Sequence, residues 1–393
     1  MYSPVYIHGI GLITPLGRSL PQTFAAIARG TAVMDRGRVP EAFLEPARGH
    51  IAGLRLPSHA LPGTLDHSIS LGLAALLDAN TNAGWSPQVF ADEDTSLFIA
   101  TSKGPAISWL AALSQIHQPD SPEKKRENQD GNLPDSDLAW HVMMGAGALG
   151  AAARVVFNFS GPVHTTVAAC AGSLIALHRA VESLRRGTCR TAIVLAADSS
   201  GHPFFESCYQ HLGVLAPMHP DGHRRCHPFS PQSGGFVVSQ AAAAFCLSLE
   251  PPMKSTLPHI SIQSTWIGAE GHHLVAADPL GIRLGEGLRA MNSAGDGPVN
   301  FVHAHAAGTR HDAVELRAIQ GSCGNIPVFS HKAWLGHALG AAGLVGLALS
   351  TACHQNQHTL TGEILPTASA SITIAQGFGG HIGLCRLATQ ATF

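Results

Sequence analysis

The chain has 393 residues, 45% hydrophobic and 13% charged, with a net charge of −2 and an isoelectric point near 6.9. This composition predicts a well-buried globular protein of one or two domains, and its near-neutral balance excludes a broad nucleic-acid-binding surface. None of the eight cysteines lies within three residues of another, which excludes a CxxC metal or redox pair.

Along the chain, the opening "MYSPVYIHGIGLITPLG" has no basic stretch ahead of an apolar run, so the expectation is a cytoplasmic protein with reduced thiols. "SLFIATS" (96–102) is a short apolar run bounded by small residues and predicts a buried strand. "HQPDSPEKKRENQDGNLPDSD" (117–137) gathers charge, Pro and Gly and reads as an exposed loop. "MMGAGALGAAA" (143–153) is apolar but too short to span a bilayer.

In "HTTVAACAGSLIALHRAV" (164–181), Cys170 stands at the start of a helix whose apolar face carries Leu174, Ile175, Leu177, Val181 and Leu184. "TAIVLAADS" (191–199) predicts a further strand, and "EPPMKSTLPH" (250–259) breaks the pattern into halves 1–250 and 251–393. "VNFVHAH" (299–305), "IPVFSH" (326–331) and "HIGLCRLA" (381–388) predict more strands, and "GHALGAAGLVGLALSTAC" predicts a helix from near Gly336. Strands alternating with helices predict an α/β layered fold. Each half has a strand, a polar turn and an Ala/Gly-rich helix, so the pattern points to a duplication with both turns at one seam.

A thiol at a helix start meets unpaired backbone N–H groups and the positive end of the helix dipole, so the expected thiol pKa lies below the free value of about 8.5. Small neighbours, Ala168, Ala169, Ala171 and Gly172, let a substrate approach the sulfur. In the second half the polar candidates are His305 in "VHAHAAGTRHDAVE" (302–315), with Thr309, Asp312 and Glu315 after it, and Lys332 and His337 in "SHKAWLGHALGAAG" (330–343). Phe378 lies among glycines in "GFGG" (377–380). The 24 histidines are scattered without an HExxH spacing, so the close pairs His303/His305 and His272/His273 are not read as metal ligands.

Taken together, "YIHGIGLITPLG", "AACAGS", "HPFSPQSGGFVVSQAAAA", "HAAGT", "KAWLGHALGAAG" and "GFGG" resemble the elongating β-ketoacyl-acyl carrier protein synthases, condensing enzymes of the thiolase fold, over nearly the whole chain. The resemblance implies two pseudo-duplicated α/β halves in a five-layered αβαβα core. It implies Cys170 as acyl-accepting nucleophile, His305 and His337 as the histidines that receive malonyl thioester, and Lys332 as the lysine that biases them. Phe378 becomes the gating aromatic, sharing an oxyanion hole with the Cys170 N–H, and Thr309 the pantetheine contact. Neither metal nor organic cofactor is needed.

The implied reaction is decarboxylative Claisen condensation in fatty-acid, polyketide or polyene biosynthesis. The implied partners are acyl- and malonyl-loaded carrier protein and a second subunit, as homodimer or heterodimer, with the strand before Cys170 near the two-fold interface. Arg185, Arg186, Arg224, Arg225, Lys124 and Lys125 are the cations expected to meet an acidic carrier.

The supporting residues depart from the family pattern. Ala307 replaces a pantetheine-binding threonine, Gly346 a glutamate paired with the lysine, Gln240 an acidic residue and Gln376 an aromatic, and "GFGGHI" brings His381 and Ile382. These departures predict a divergent synthase with an unusual acyl substrate. The competing readings are a chain-length-factor-like partner subunit, which Cys170 opposes, another thiolase-fold acyltransferase, and a Cys/His hydrolase on a different fold.

Overall fold

A computed structural model describes residues 3–56, 60–61, 65–116, 142–232, 234–252, 259–295 and 297–390. The polar stretch 117–137, with Lys124 and Lys125, and most of the 250–259 break lie outside the described residues. The strands are β1 (Val5–Ile13), β2 (Arg36–Gly37), β3 (Thr95–Thr101), β4 (Val163–Val167), β5 (Thr191–Ser199), β6 (Val238–Ser248), β7 (His259–Ala269), β8 (Val299–His303), β9 (Val328–Phe329), β10 (Ala370–Gly377) and β11 (His381–Gln390). The helices that build the layers are α1 (His67–Ala83), α2 (Ala148–Phe157), α3 (Gly172–Arg185), α4 (Ile282–Ser293), α5 (Asp312–Cys323) and α6 (Ala342–Asn356).

The strands run in the order β4-β3-β5-β6-β1-β7-β11-β10-β8-β9, with β2 beside β6. Two sets of five share one plan: β4-β3-β5-β6-β1 and β9-β8-β10-β11-β7 each combine parallel pairs at the outer end with antiparallel pairs at the inner end. They meet through a short antiparallel contact, Val5 opposite Ile262 and Tyr6 opposite Ser261.

Helices α3 and α6 touch strands of both sets and each other, forming the middle layer. Helices α1 and α2 cover the first set, and α4 lies against the second with α5 packed on it. The result is five layers, helix–sheet–helix–sheet–helix. Because α6 lies between two sheets, its sequence "AGLVGLALSTACHQN" is apolar on every side rather than on one face, and Ala342 through His354 are all buried. The middle layer needs close approach: a Cβ on Gly343 would lie 2.7 Å from Ser173 Oγ and 2.8 Å from Leu174 Cγ.

Two expected boundaries shift. Strand β8 stops at His303, two residues short of His305, because Glu315 captures the backbone N–H groups of His305 and Ala306 at 2.7 and 2.8 Å and turns the chain out of the sheet. The helix expected from near Gly336 begins at Ala342, after a single turn at Lys332–Leu335 and a 3-10 turn at Leu339–Ala341; Gly336 has φ +69°, which ends the first turn.

Candidate active site

Cys170 lies in a 3-10 turn, Ala169–Ala171, that feeds α3; the α-helix itself starts two residues later than the sulfur. Ala169 adopts φ +45° and Leu339, opening the matching turn of the second half, φ +43°, both in the region that side chains disfavour. The two turns touch. Such strain persists where surrounding contacts fix it, and here they are visible. Ser173 Oγ accepts the N–H of Leu344 at 3.2 Å, tying the start of α3 to the start of α6. Asp198, at the end of β5, accepts the N–H groups of Ser102 and Gly340 at 2.9 and 3.3 Å and the Ser200 hydroxyl at 2.6 Å.

This clamp brings distant residues together. His337 Nε2 is 3.2 Å from Cys170 Sγ, and the His305 and His337 rings lie 5.4 Å apart at 80°. Phe236 packs edge-on against His337 at 5.0 Å. Cys170, His305, His337, Thr309 and Phe378 all line one cavity of about 770 Å³. Phe378 sits in the turn between β10 and β11, where Gly379 and Gly380 take φ +82° and +77°. Lys332 is 1% exposed and is not part of the wall; it stands behind His305 and donates from Nζ to the His305 carbonyl oxygen.

Two carboxylates on the first turn of α5 shape the loop 305–309. Asp312 accepts the N–H groups of Ala307, Gly308 and Thr309 at 3.0–3.1 Å, the Phe229 N–H at 3.2 Å and the Thr309 hydroxyl at 3.3 Å. Glu315 holds His305 itself through its backbone. Asp and Glu three residues apart at a helix start are visible in the sequence, but their long-range bonds to this loop are not. Asp198 gave no such signal beyond being an acid at the end of a strand.

Burial sets the protonation states. The Cys170 thiol is pushed up to about 11 by burial, against the pull of Lys332 and Lys103. This corrects the expectation of a lowered thiol: Cys170 is only 8% exposed, and desolvation of the thiolate outweighs the nearby positive charge. Burial, reinforced by the Lys332 charge, holds His305 and His337 well below the ordinary histidine range, so both imidazoles are neutral. Glu315 is raised to about 7 by burial and by Asp312, and burial lowers Lys332 against the attraction of Glu315.

The altered supporting residues have partners of their own. Gln240 accepts the Val39 N–H and donates to Ser199 Oγ, both at 2.9 Å, bridging structure rather than site. Gln376 Oε1 is 3.1 Å from His311 Nε2, and both residues line the cavity. The expected carrier-facing arginines are engaged locally: Arg185 with the Ser3 and Gln263 carbonyls, Arg186 with Glu182, Arg224 with the Ala216 carbonyl and Arg225 with Asp221.

Family profiles for the β-ketoacyl synthase N-terminal and C-terminal domains match residues 2–251 and 261–361. The α subunit of the tetracenomycin polyketide ketoacyl synthase of Streptomyces glaucescens is 24% identical over 322 residues, 78% of this chain and 72% of that protein. The 3-oxoacyl-[acyl-carrier-protein] synthase 2 of Mycobacterium tuberculosis is 32% identical over 247 residues, 56% of this chain and 59% of that protein. The ishigamide ketosynthase/chain length factor shares the fold with a TM-score of 0.78 at 18% identity, covering all of both chains. A type II polyketide ketosynthase in complex with its acyl-carrier protein gives a TM-score of 0.79 at 18% identity, covering 99% of this chain and all of that one. The layered fold is that of the thiolase-like ketosynthases, and the chain belongs to the β-ketoacyl synthase family.

Proposed function

We propose that this chain joins a Cys170-bound acyl group to malonyl carrier protein with loss of CO2, making a 3-oxoacyl thioester. The observation that carries the reading is the cavity shared by one sulfur and two neutral imidazoles, with His337 Nε2 at 3.2 Å from Sγ.

In the first step, Cys170 sulfur attacks the thioester of an acyl carrier. The carrier thiol leaves with the proton that Cys170 gives up, and His337 Nε2 is the nearest group to relay it. In the second step, the malonyl carrier loses CO2 and the electron pair stays as an enolate. Neutral His305 and His337 donate ring N–H bonds to the enolate oxygen. Each preorganised donor is worth roughly 2.7–4 kcal/mol in comparable sites. The enolate carbon then attacks the Cys170 thioester carbonyl, the C–S bond breaks, and the released thiolate takes one proton from water. The Phe378 and Cys170 N–H groups would hold the tetrahedral oxygen, and Thr309 would meet the pantetheine arm.

The thiol's raised pKa fits this order, because the sulfur stays protonated until a substrate and His337 are in place. Lys332 acts on His305 from behind through the carbonyl oxygen of that residue.

We infer a two-fold partner, a second copy or a related subunit, across β4. This strand is the outer edge of the sheet, immediately precedes the Cys170 turn, and leaves His164, Thr165 and Val167 exposed. Among the described residues no helix is long and apolar enough to cross a membrane.

The test supplies purified protein with a panel of acyl carriers and follows intact mass. The expected result is a single acyl adduct on Cys170 that adding malonyl carrier discharges as 3-oxoacyl carrier. Adduct without condensation would overturn the synthase reading and leave a plain acyltransferase.

A further inference from the structure

The cavity wall carries two polar atoms that neither step above uses. Gln376 Nε2 and Glu270 Oε1 are buried and have no hydrogen-bond partner. Their side chains, only 7% and 8% exposed, line the same cavity as Cys170. The other polar atom of each is anchored: Gln376 Oε1 is 3.1 Å from His311 Nε2, and Glu270 Oε2 accepts the Asp278 N–H at 2.8 Å. A buried donor or acceptor left bare is costly, so two of them on one cavity wall point to a ligand that completes them.

Sheet register shows which part of the cavity they face. Gln376 of β10 pairs with Ile382 of β11, and Ile382 with Gly268 of β7, so the three share a face. Alternation brings Glu270, two residues past Gly268, to that face as well. It is the outer face, because Ile382 clusters there with Leu284 and Leu288 of α4. Gly377 and Gly383, the next residues along their strands, point the other way. A Cβ on Gly377 would lie 3.0 Å from the Cys170 backbone nitrogen, and one on Gly383 2.8 Å from Leu174 Cβ. The cavity therefore turns round the strand ends, from the sulfur on the middle-layer side to Gln376 and Glu270 on the outer side.

This outer limb adjoins the loop 305–309. His311, which touches Gln376, is next to Asp312, the acid that holds Ala307, Gly308 and Thr309 by their N–H groups. Ala307 lines the same cavity and offers no hydroxyl where the family pattern has a threonine. Whatever fills the limb must bring an acceptor for the Gln376 N–H and a donor for the Glu270 oxygen. A hydrocarbon acyl chain brings neither. The pantetheine arm of a carrier thioester brings both, twice, in its two amides.

We infer that Gln376, braced by His311, and Glu270 bind the amides of the pantetheine arm, Gln376 donating to a carbonyl oxygen and Glu270 accepting an N–H. They are specificity-determining residues for the arm and not for the acyl group. The inference rests on the ketosynthase reading above in one respect, that a carrier-borne thioester reaches Cys170.

The test acylates Cys170 with two thioesters that share an acyl group and differ in their arm: acetyl-pantetheine, with two amides, and S-butyl thioacetate, with none. Intact mass follows loading. The variants are Gln376→Met, which keeps the volume and removes both polar atoms, and Glu270→Gln, which is isosteric and turns the cavity-facing acceptor into a donor. Wild type is expected to prefer acetyl-pantetheine. Each variant is expected to lose about tenfold of that preference in kcat/KM, mainly through KM. A preference unchanged in either variant, or a loss carried by kcat alone, would overturn the proposal. So would a loss that appears only with 3-oxoacyl thioesters, because it would assign the residues to the acyl chain.

Binding gives a second reading that needs no chemistry, using an acetyl-pantetheine analogue with a methylene in place of the thioester sulfur. Calorimetry is expected to show about tenfold weaker binding to Gln376→Met than to wild type; equal affinity would contradict the arm assignment. A wild type that loads acetyl groups yet never condenses would sink the ketosynthase reading and leave the arm preference standing.

Discussion

His337 Nε2 and Cys170 Sγ, 167 residues apart in the chain, lie 3.2 Å from each other. Nothing local holds them there. The contact exists because two 3-10 turns, each opened by a residue with positive φ, are pressed together beneath α3 and α6 by Asp198 and Ser173. A base beside the sulfur matters because burial keeps the thiol protonated.

The reactivity of Cys170 should therefore rise late with pH. With the thiol pushed up to about 11, alkylation by a small electrophile is expected to increase about tenfold per pH unit from 7.5 to beyond 9.5. Mass spectrometry of the Cys170 peptide reads it, and a plateau below pH 8.5 would show a thiolate already formed.

Removing either imidazole should separate the two half-reactions. His305→Ala is expected to cut malonyl decarboxylation about 100- to 1000-fold, the usual cost of one preorganised donor, while Cys170 still loads. His337→Ala is expected to slow both steps, because this ring lies within hydrogen-bonding distance of the sulfur. CO2 release and intact mass, measured on the same samples, distinguish them.

Gly377 is a small residue with a positional reason. A Cβ there would fall 2.9 Å from the Ala168 carbonyl oxygen and 3.0 Å from the backbone nitrogens of Cys170 and Ala171. Gly377→Ala is expected to leave a folded protein with acyl loading reduced at least tenfold, through displacement of the nucleophile's turn. Unchanged loading would show that the turn yields without harm.

Stability should fall on the acid side of neutrality. Buried His303, His305, His331, His337 and His354 have native pKa values below the unfolded 6.5, with His303 near 3 and His354 near 4. Below pH 6.5 the unfolded chain binds protons that the native state refuses, so stability is lost as pH falls, by up to about 1.4 kcal/mol per histidine per pH unit. Glu315, raised to about 7, opposes this, since its native state gains a proton first. Five histidines outweigh one carboxyl. A melting temperature lower at pH 5.5 than at 7.5 is expected, and the reverse order would contradict the neutral-imidazole site.

Much of this was legible in the sequence. Apolar runs such as "TAIVLAADS" and "HIGLCRLA" are strands because strands buried on both faces need no alternation. Cys170, His305, His337, Thr309 and Phe378 were singled out by their settings and by the family resemblance, and all five line one cavity. What could not be read depends on tertiary context. The Ala-rich "VSQAAAAFCLS" is strand β6 because it lies between β5 and β1, against its helix propensity. The direction of the Cys170 shift was misjudged because a helix start is local, whereas the burial that overrides it comes from elements far along the chain. Gly346 read as a missing carboxylate; only the coordinates show two histidine rings beside it.

The central claim is that one sulfur and two neutral rings act on two substrates in the same cavity. Its most direct test counts CO2 against 3-oxoacyl carrier when wild type and Cys170→Ala each receive acyl and malonyl carriers. Wild type is expected to yield the two in equal amounts and Cys170→Ala no condensation product. A wild type that forms neither with any chain length, or a Cys170→Ala protein that still condenses, would contradict it.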